Sequence, residues 1–243
     1  MALPVVNSSR YNTVIPSTGQ EIEFRPFLVK EEKVLMVALE SKDNKMIMRS
    51  LKDVISACTF ETVVTDNLTS FDLEYLFLQL RSKAVGETAD ISLKCRNDDC
   101  DDVGKHSIPL EKITMDIPEK DDKIVMMTDD VGITFRYPSV KQLEKIGAED
   151  LETLSPEQKM EATMALILVS IDNIFDADNV YPADSETEQS LTGFLDGLNA
   201  SQFAKITEWF QSMPALTHTI KWDCNKCEHK NEVELRGLQN FFT

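Results

Sequence analysis

Four of the five cysteines fall into two close pairs, and each pair sits at the tip of a strand–turn–strand pattern. Cys95 and Cys100 enclose Arg-Asn-Asp-Asp, while Cys224 and Cys227 enclose Asn-Lys. Ala89, Ile91 and Leu93 alternate with polar residues before the first pair, and the chain returns through His106–Ile113. Thr217–Trp222 leads into the second pair and Lys230–Leu235 leads out. A period of two marks a half-buried strand. In a reducing compartment such pairs hold metal more often than they form disulfides. Each turn offers two thiolates, and Zn²⁺ favours four soft ligands in a tetrahedron. Two knuckles face to face therefore make one closed structural zinc site from Cys95, Cys100, Cys224 and Cys227. Residues 101–223 lie between its halves, far more than a zinc ribbon usually spans. The helical middle must then be an insertion between two locally complete knuckles.

Two other readings of these cysteines stay open. They can be buried thiols in ordinary hairpins, or Cys224 and Cys227 can form a redox dithiol. The dithiol is the weaker reading, because a hairpin turn lacks the helix N-terminus that stabilises a thiolate. Lys94, Arg96, Lys105, Lys221, Lys226 and Lys230 lie near the cysteines in sequence. They can offset the negative charge that four thiolates leave on a zinc ion, or simply be solvated strand positions. His106, His218 and His229 are also close, but four cysteines already fill a structural site. A filled site activates no water, so such a zinc holds the fold and does not catalyse. Cys58 lies in a helical pattern and reads as a small buried hydrophobe.

Around the knuckles the pattern is helical. Residues 1–25 are turn-rich and extended, and Pro26 opens a helix near Val29–Leu39, where Val34, Leu35, Ala38 and Leu39 recur at helical spacing. A second helix covers about Lys45–Phe60, with Ile47, Leu51, Val54, Ile55 and Cys58 on one face. Thr69 or Ser70 caps a third, Phe71–Lys83, whose broad apolar face makes it central to an N-terminal unit. Lys123–Thr128 and Gly132–Tyr137 read as a second hairpin. Val140–Ile146 is a short helix, and Ser155-Pro156 starts one that runs to about Ile171. Residues 172–185 read as a polar loop. Two more helices fall near Ser185–Leu195 and Ser201–Met213. The terminal Leu238-Gln-Asn-Phe-Phe242 is apolar enough to dock on the body or on a partner.

The expected fold is α+β. An N-terminal arm and helical unit occupies 1–86, and β-hairpins with the first knuckle occupy 87–137. A helical insertion fills 138–214, and the second knuckle and apolar tail fill 215–243. Residues 87–243 make one closed unit. A net charge of −17 excludes a general nucleic-acid or anionic-membrane binder, since both need a basic field. The N-terminus carries no basic region followed by an apolar run. The longest apolar stretch, Met164–Ile171, is broken by Ser170 and is far short of the roughly 20 residues that span a bilayer. The expectation is a chain made and kept in a cytoplasm. Asp172–Asn179 has calcium-loop acids without the Gly and Glu that such a loop needs. Glycine-rich phosphate loops, HExxH and GxSxG are absent from the sequence, so an enzyme is not expected.

Several strings are more specific than composition. Ile15-Pro16-Ser17-Thr18-Gly19 and Phe24-Arg25-Pro26-Phe27-Leu28-Val29-Lys30-Glu31-Glu32-Lys33 resemble the opening of the T4-type bacteriophage baseplate hub protein family. Phe71-Asp72-Leu73-Glu74-Tyr75-Leu76-Phe77-Leu78-Gln79-Leu80-Arg81 is similar to its next block. Met213-Pro214, Cys224–Cys227 and Asn240-Phe241-Phe242 are similar to the way such proteins end. The resemblance implies a hub subunit or hub assembly factor of a contractile tail. Its partners would be other hub or tail proteins, and its location the host cytoplasm during assembly or the tail baseplate of the virion. It carries over no catalytic residue. A chaperone for the tape measure protein or another hub component, absent from the virion, is the alternative. A zinc-dependent or redox enzyme is the third possibility.

Overall fold

The structure is a computed structural model, and it describes residues 8–117, 123–147 and 154–237. In chain order its strands are β1 (Tyr11–Val14), β2 (Glu21–Phe24), β3 (Thr88–Lys94), β4 (Val103–Pro109), β5 (Thr114–Asp116), β6 (Ile124–Met126), β7 (Gly132–Phe135), β8 (Ile171–Phe175), β9 (Val180–Pro182), β10 (Ala215–Asp223) and β11 (Lys230–Arg236). Its helices are α1 (Val29–Ser41), α2 (Asn44–Cys58), α3 (Ser70–Ala84), α4 (Val140–Lys145), α5 (Pro156–Ser170), α6 (Glu188–Asp196) and α7 (Ala200–Gln211). The mixture of helices and small antiparallel sheets is the expected α+β class. The tail Leu238–Phe242, expected to dock, lies outside the described residues.

The chain forms two compact units. The first comprises Met1–Asp116 and Ala215–Thr243, the second Ile117–Pro214. The chain leaves the first unit along β5 and returns along β10. These strands are antiparallel neighbours, with Asp116 opposite Ala215.

In the first unit, α3 is enclosed nearly all round. Phe71, Leu73, Leu76, Leu78 and Leu80 are buried, as its apolar sequence requires. Its start is fixed by Thr69, whose Oγ1 accepts from the Asp72 amide, while Asp72 Oδ2 accepts from the Thr69 amide at 3.0 Å. Asp72 is itself fully buried. Ser17, in the turn between β1 and β2, donates its backbone N–H to Asp72 Oδ1 at 2.9 Å and its hydroxyl to Oδ2 at 2.6 Å. One carboxylate therefore caps the central helix and pins the N-terminal hairpin to it. β3 and β4 pair as one ribbon, and β11, β10 and β5 form a three-stranded sheet. Ala89, Ile91, Ile108, Leu216, Ile220 and Leu235 share a core with Leu78 of α3.

Helix α1 departs from expectation. Of Val34, Leu35, Ala38 and Leu39, only Ala38 is buried, while Val34 and Leu39 are exposed. Its buried polar residue is Glu31, which accepts from Arg25 at 3.0 Å and from the Leu28 amide at 2.8 Å. Burial pushes the Glu31 carboxyl up. Arg25, the Leu28 amide and Lys30 outweigh that and hold it below the usual carboxylate range. In α2 most of the expected face is inside: Leu51, Val54, Ile55 and Cys58 are buried, and Ile47 is half-buried. Burial pushes the Cys58 thiol up to about 11, so it stays protonated.

The second unit is an antiparallel meander, β6-β7-β8-β9, with α4–α7. Ile133, Phe135, Ile171, Ile206 and Trp209 are central to its core, where the Phe135 and Trp209 rings stack at 4.5 Å. α5 starts at Pro156 with Ser155 as its cap, as the sequence predicts. The stretch expected as a polar loop instead carries the hairpin β8–β9. Opposite Thr134 and Phe135 the register skips Asp172, and this bulge in β8 breaks the alternation that would have revealed the strand. Asp176 makes the turn by accepting from the amides of Asp178 and Asn179. Gly132 is required there, because a Cβ would run into the Phe175 ring.

Asp72→Ala is expected to destabilise the first unit by roughly 2 kcal/mol, because the buried Thr69 donors and the exposed Ser17 donors lose their shared acceptor. A urea titration followed by circular dichroism measures this as a lower midpoint.

Candidate metal centre

The site forms where the tips of two hairpins of the first unit meet. Cys95 follows β3 and Cys100 precedes β4, while Cys224 and Cys227 lie in the turn between β10 and β11. Each turn is set by local hydrogen bonds. The Cys95 amide donates to the Asp102 carbonyl and the Cys100 amide to the Asn97 carbonyl, both at 2.9 Å. In the second turn the Glu228 amide donates to the Cys224 carbonyl at 2.9 Å. This closure needs Glu228 in the left-handed region, with φ of 57°. A side chain there costs roughly 1–2 kcal/mol, so the strain is tolerated where the turn must present both sulfurs.

All four sulfurs lie within 4.8 Å of one another. Cys95 Sγ is 3.7 Å from Cys227 Sγ, and Cys100 Sγ is 3.8 Å from Cys224 Sγ. Both close pairs join one hairpin to the other. Zinc–sulfur bonds of about 2.3 Å give a tetrahedron with edges of about 3.8 Å. The two close pairs match that edge, the remaining separations stay within 4.8 Å, and all four thiols are free. Cys95, Cys100 and Cys224 are buried, and Cys227 is exposed.

The surroundings are mixed: the Asp102 amide pulls the Cys100 thiol down, but burial and its bonds to Cys227 and Cys95 outweigh that and push it up. The Lys226 amide donates to Cys224 Sγ at 3.4 Å, and the Asn97 side-chain amide donates to Cys227 Sγ at 3.7 Å. The His229 amide pulls the Cys227 thiol down to about 7. Burial opposes this, and bonds from Cys100, Cys224 and Cys95 add to the fall. The amides of Cys227 and Lys226 pull Cys224 down as well. Burial and its bonds to Cys227 and Asp102 outweigh them and push it up to about 12. One thiol thus ionises readily while a neighbour keeps its proton, as expected for crowded like groups; a divalent cation favours the thiolate at every position. Lys226 Nζ pairs with Asp101 across the two turns, which holds the lysine above and the carboxyl below their ordinary ranges.

Among the described residues the four-sulfur group contains no histidine. The His106 ring packs against Trp222 at 4.8 Å, and His218 Nδ1 lies 3.1 Å from the Lys112 carbonyl. His229 contributes through its backbone: its carbonyl accepts from the Cys224 amide at 2.9 Å. Cys224 and Cys227 stand in a β-turn, so the lowered Cys227 thiol owes its shift to the His229 amide and the neighbouring sulfurs and not to a helix N-terminus.

Asn231 is the residue that pattern reading misses. It is buried on the inward face of β11, where alternation calls for an apolar side chain. Its Oδ1 accepts from the Arg96 amide at 2.8 Å, and its Nδ2 donates to the His229 carbonyl at 2.9 Å. It thereby ties the first knuckle to the second beside the sulfurs. A polar residue at an inward register position was the available signal.

The model of the T4 bacteriophage base plate protein family matches residues 8–243. The chain belongs to this family. The match takes in both hairpins and the second unit, and it makes the chain a phage baseplate protein. The narrower resemblance to hub proteins lies beyond what the match resolves. No curated protein and no solved structure matches the chain. No helix among the described residues is long and apolar enough to cross a membrane.

Asn231→Leu is expected to cost about 1 kcal/mol, because the Arg96 amide loses its acceptor and the tie between the two tips is cut, while the His229 carbonyl keeps the Cys224 amide. Amide hydrogen exchange should show Arg96 losing protection, with the second unit unchanged.

Proposed function

We propose that this baseplate protein is a non-enzymatic component or assembly factor of the hub of a contractile-tailed phage. It acts through protein–protein contacts and is braced by one structural zinc ion on Cys95, Cys100, Cys224 and Cys227. The family match over residues 8–243 carries the baseplate reading. The hub assignment rests on the strings at Ile15–Gly19, Phe24–Lys33 and Phe71–Arg81. The spacing of the four sulfurs supports the zinc. When bound, zinc supplies a rigid crosslink and no chemistry, because four thiolates leave no position for water or substrate. This chain's own residues hold the two turns, donate N–H groups to the sulfurs and exclude solvent from three of them.

The partners in this reading are other baseplate hub and tail proteins, with neither nucleic acid nor membrane among them. Its places are the host cytoplasm during assembly and the tail baseplate. A second reading is a tail-assembly chaperone for the tape measure protein or another hub protein. The net charge of −17 favours it to the extent that the client is basic.

Purification of the tagged chain from infected cells, with quantitative mass spectrometry of virions, tests the proposal. Co-purification with baseplate proteins and recovery in virions at a fixed copy number is expected of a component. Presence in lysate alone, bound to the tape measure protein, favours the chaperone. Recovery without any tail protein from either source would contradict both.

A further inference from the structure

Helix α1 is turned the wrong way round for a surface helix. Such a helix normally hides its apolar stripe and shows its charges. Here the buried positions are Glu31 and Ala38. Val29 is 64% exposed, Met36 56%, Val37 58% and Leu39 61%. The Arg25–Glu31 ion pair holds the helix to its unit, so the outward apolar face is fixed and is not a loosely attached element. Val29, Lys33, Met36, Val37 and Glu40 follow one another at helical spacing along that face. Contiguous apolar surface of this kind on a soluble chain marks a protein contact.

The charges on the face select the occupant. When two copies of α1 are laid antiparallel about a two-fold axis between Met36 and Val37, each Met36 meets the other copy's Val37. Each Lys33 lies opposite the other's Glu40. At the centre of the contact Lys33 then meets Glu40 and Met36 meets Val37, while the counterpart of Val29 falls at position 44, beyond the helix. A parallel arrangement would set Lys33 against Lys33 and Glu40 against Glu40. Self-complementarity about a two-fold axis is what an isologous dimer requires. We infer that α1 is the contact helix of a homodimer, packed antiparallel on its copy through Met36 and Val37 and registered by Lys33–Glu40 pairs. A helix of 13 residues is about 20 Å long and gives less area than a standard interface, so the dimer is a weak one that assembly into the tail can reinforce.

Sedimentation velocity of the full chain, from about 1 to about 500 µM, reads the equilibrium. The wild type is expected to pass from monomer to dimer. Lys33→Glu or Glu40→Lys alone should weaken dimerisation about tenfold or more, since each sets like charges together. Mixing the two single variants should restore a dimer, because each then offers what the other lacks, and the double swap should restore the homodimer. Met36→Lys should abolish it, with unchanged circular dichroism as the check that these exposed changes leave the fold intact. A wild type that stays monomeric, single variants that dimerise normally, or mixed variants that do not recover would overturn the inference.

Discussion

The first unit depends on one meeting point, the convergence of two hairpin tips far apart in sequence. A two-stranded hairpin is marginal in water by itself. Here β3–β4 and β10–β11 gain stability by sharing a core with α3 at one end and bringing four sulfurs together at the other. Asn231 adds a direct backbone tie between the tips. The large separation is tolerated because the chain departs at Asp116 and returns at Ala215, which already face each other in the sheet. Closure entropy grows only with the logarithm of loop length, and a folded insertion with neighbouring ends avoids most of it.

Much of this was legible in the sequence, for identifiable reasons. The knuckles showed because period-two alternation ran straight into paired cysteines. The starts of α3 and α5 showed because Thr69 and Ser155 are capping residues with an acid or amide three positions on. Hairpin β8–β9 was hidden because its bulge disrupts the period and its acids look like solvated loop, although Asp176 uses its carboxylate to form the turn. The outward face of α1 was hidden for a different reason. Periodicity shows that a helix has an apolar stripe, but not whether the stripe faces its own chain or another. Asn231 and Asp72 belong to a third kind: polar side chains whose partners come from distant segments, which no local pattern contains.

The strings that carry the family resemblance acquire a physical meaning in the structure. Ser17 and Asp72 come from two of them and bond to each other, and Arg25 and Glu31 of a third form the ion pair that seats α1. These residues are joints between segments and have no evident chemical role. Such joints fit a baseplate protein. The charge of −17 fits the same view, since like-charged copies stay apart until specific complementary contacts bring them together.

The central claim is that one metal ion, held by four thiolates, locks the two hairpins together. X-ray absorption at the zinc edge, on protein purified without added metal, tests it most directly. The account predicts one zinc per chain with four sulfur neighbours at about 2.3 Å. A protein that is fully folded without metal, or a zinc shell containing nitrogen or oxygen in place of sulfur, would contradict it.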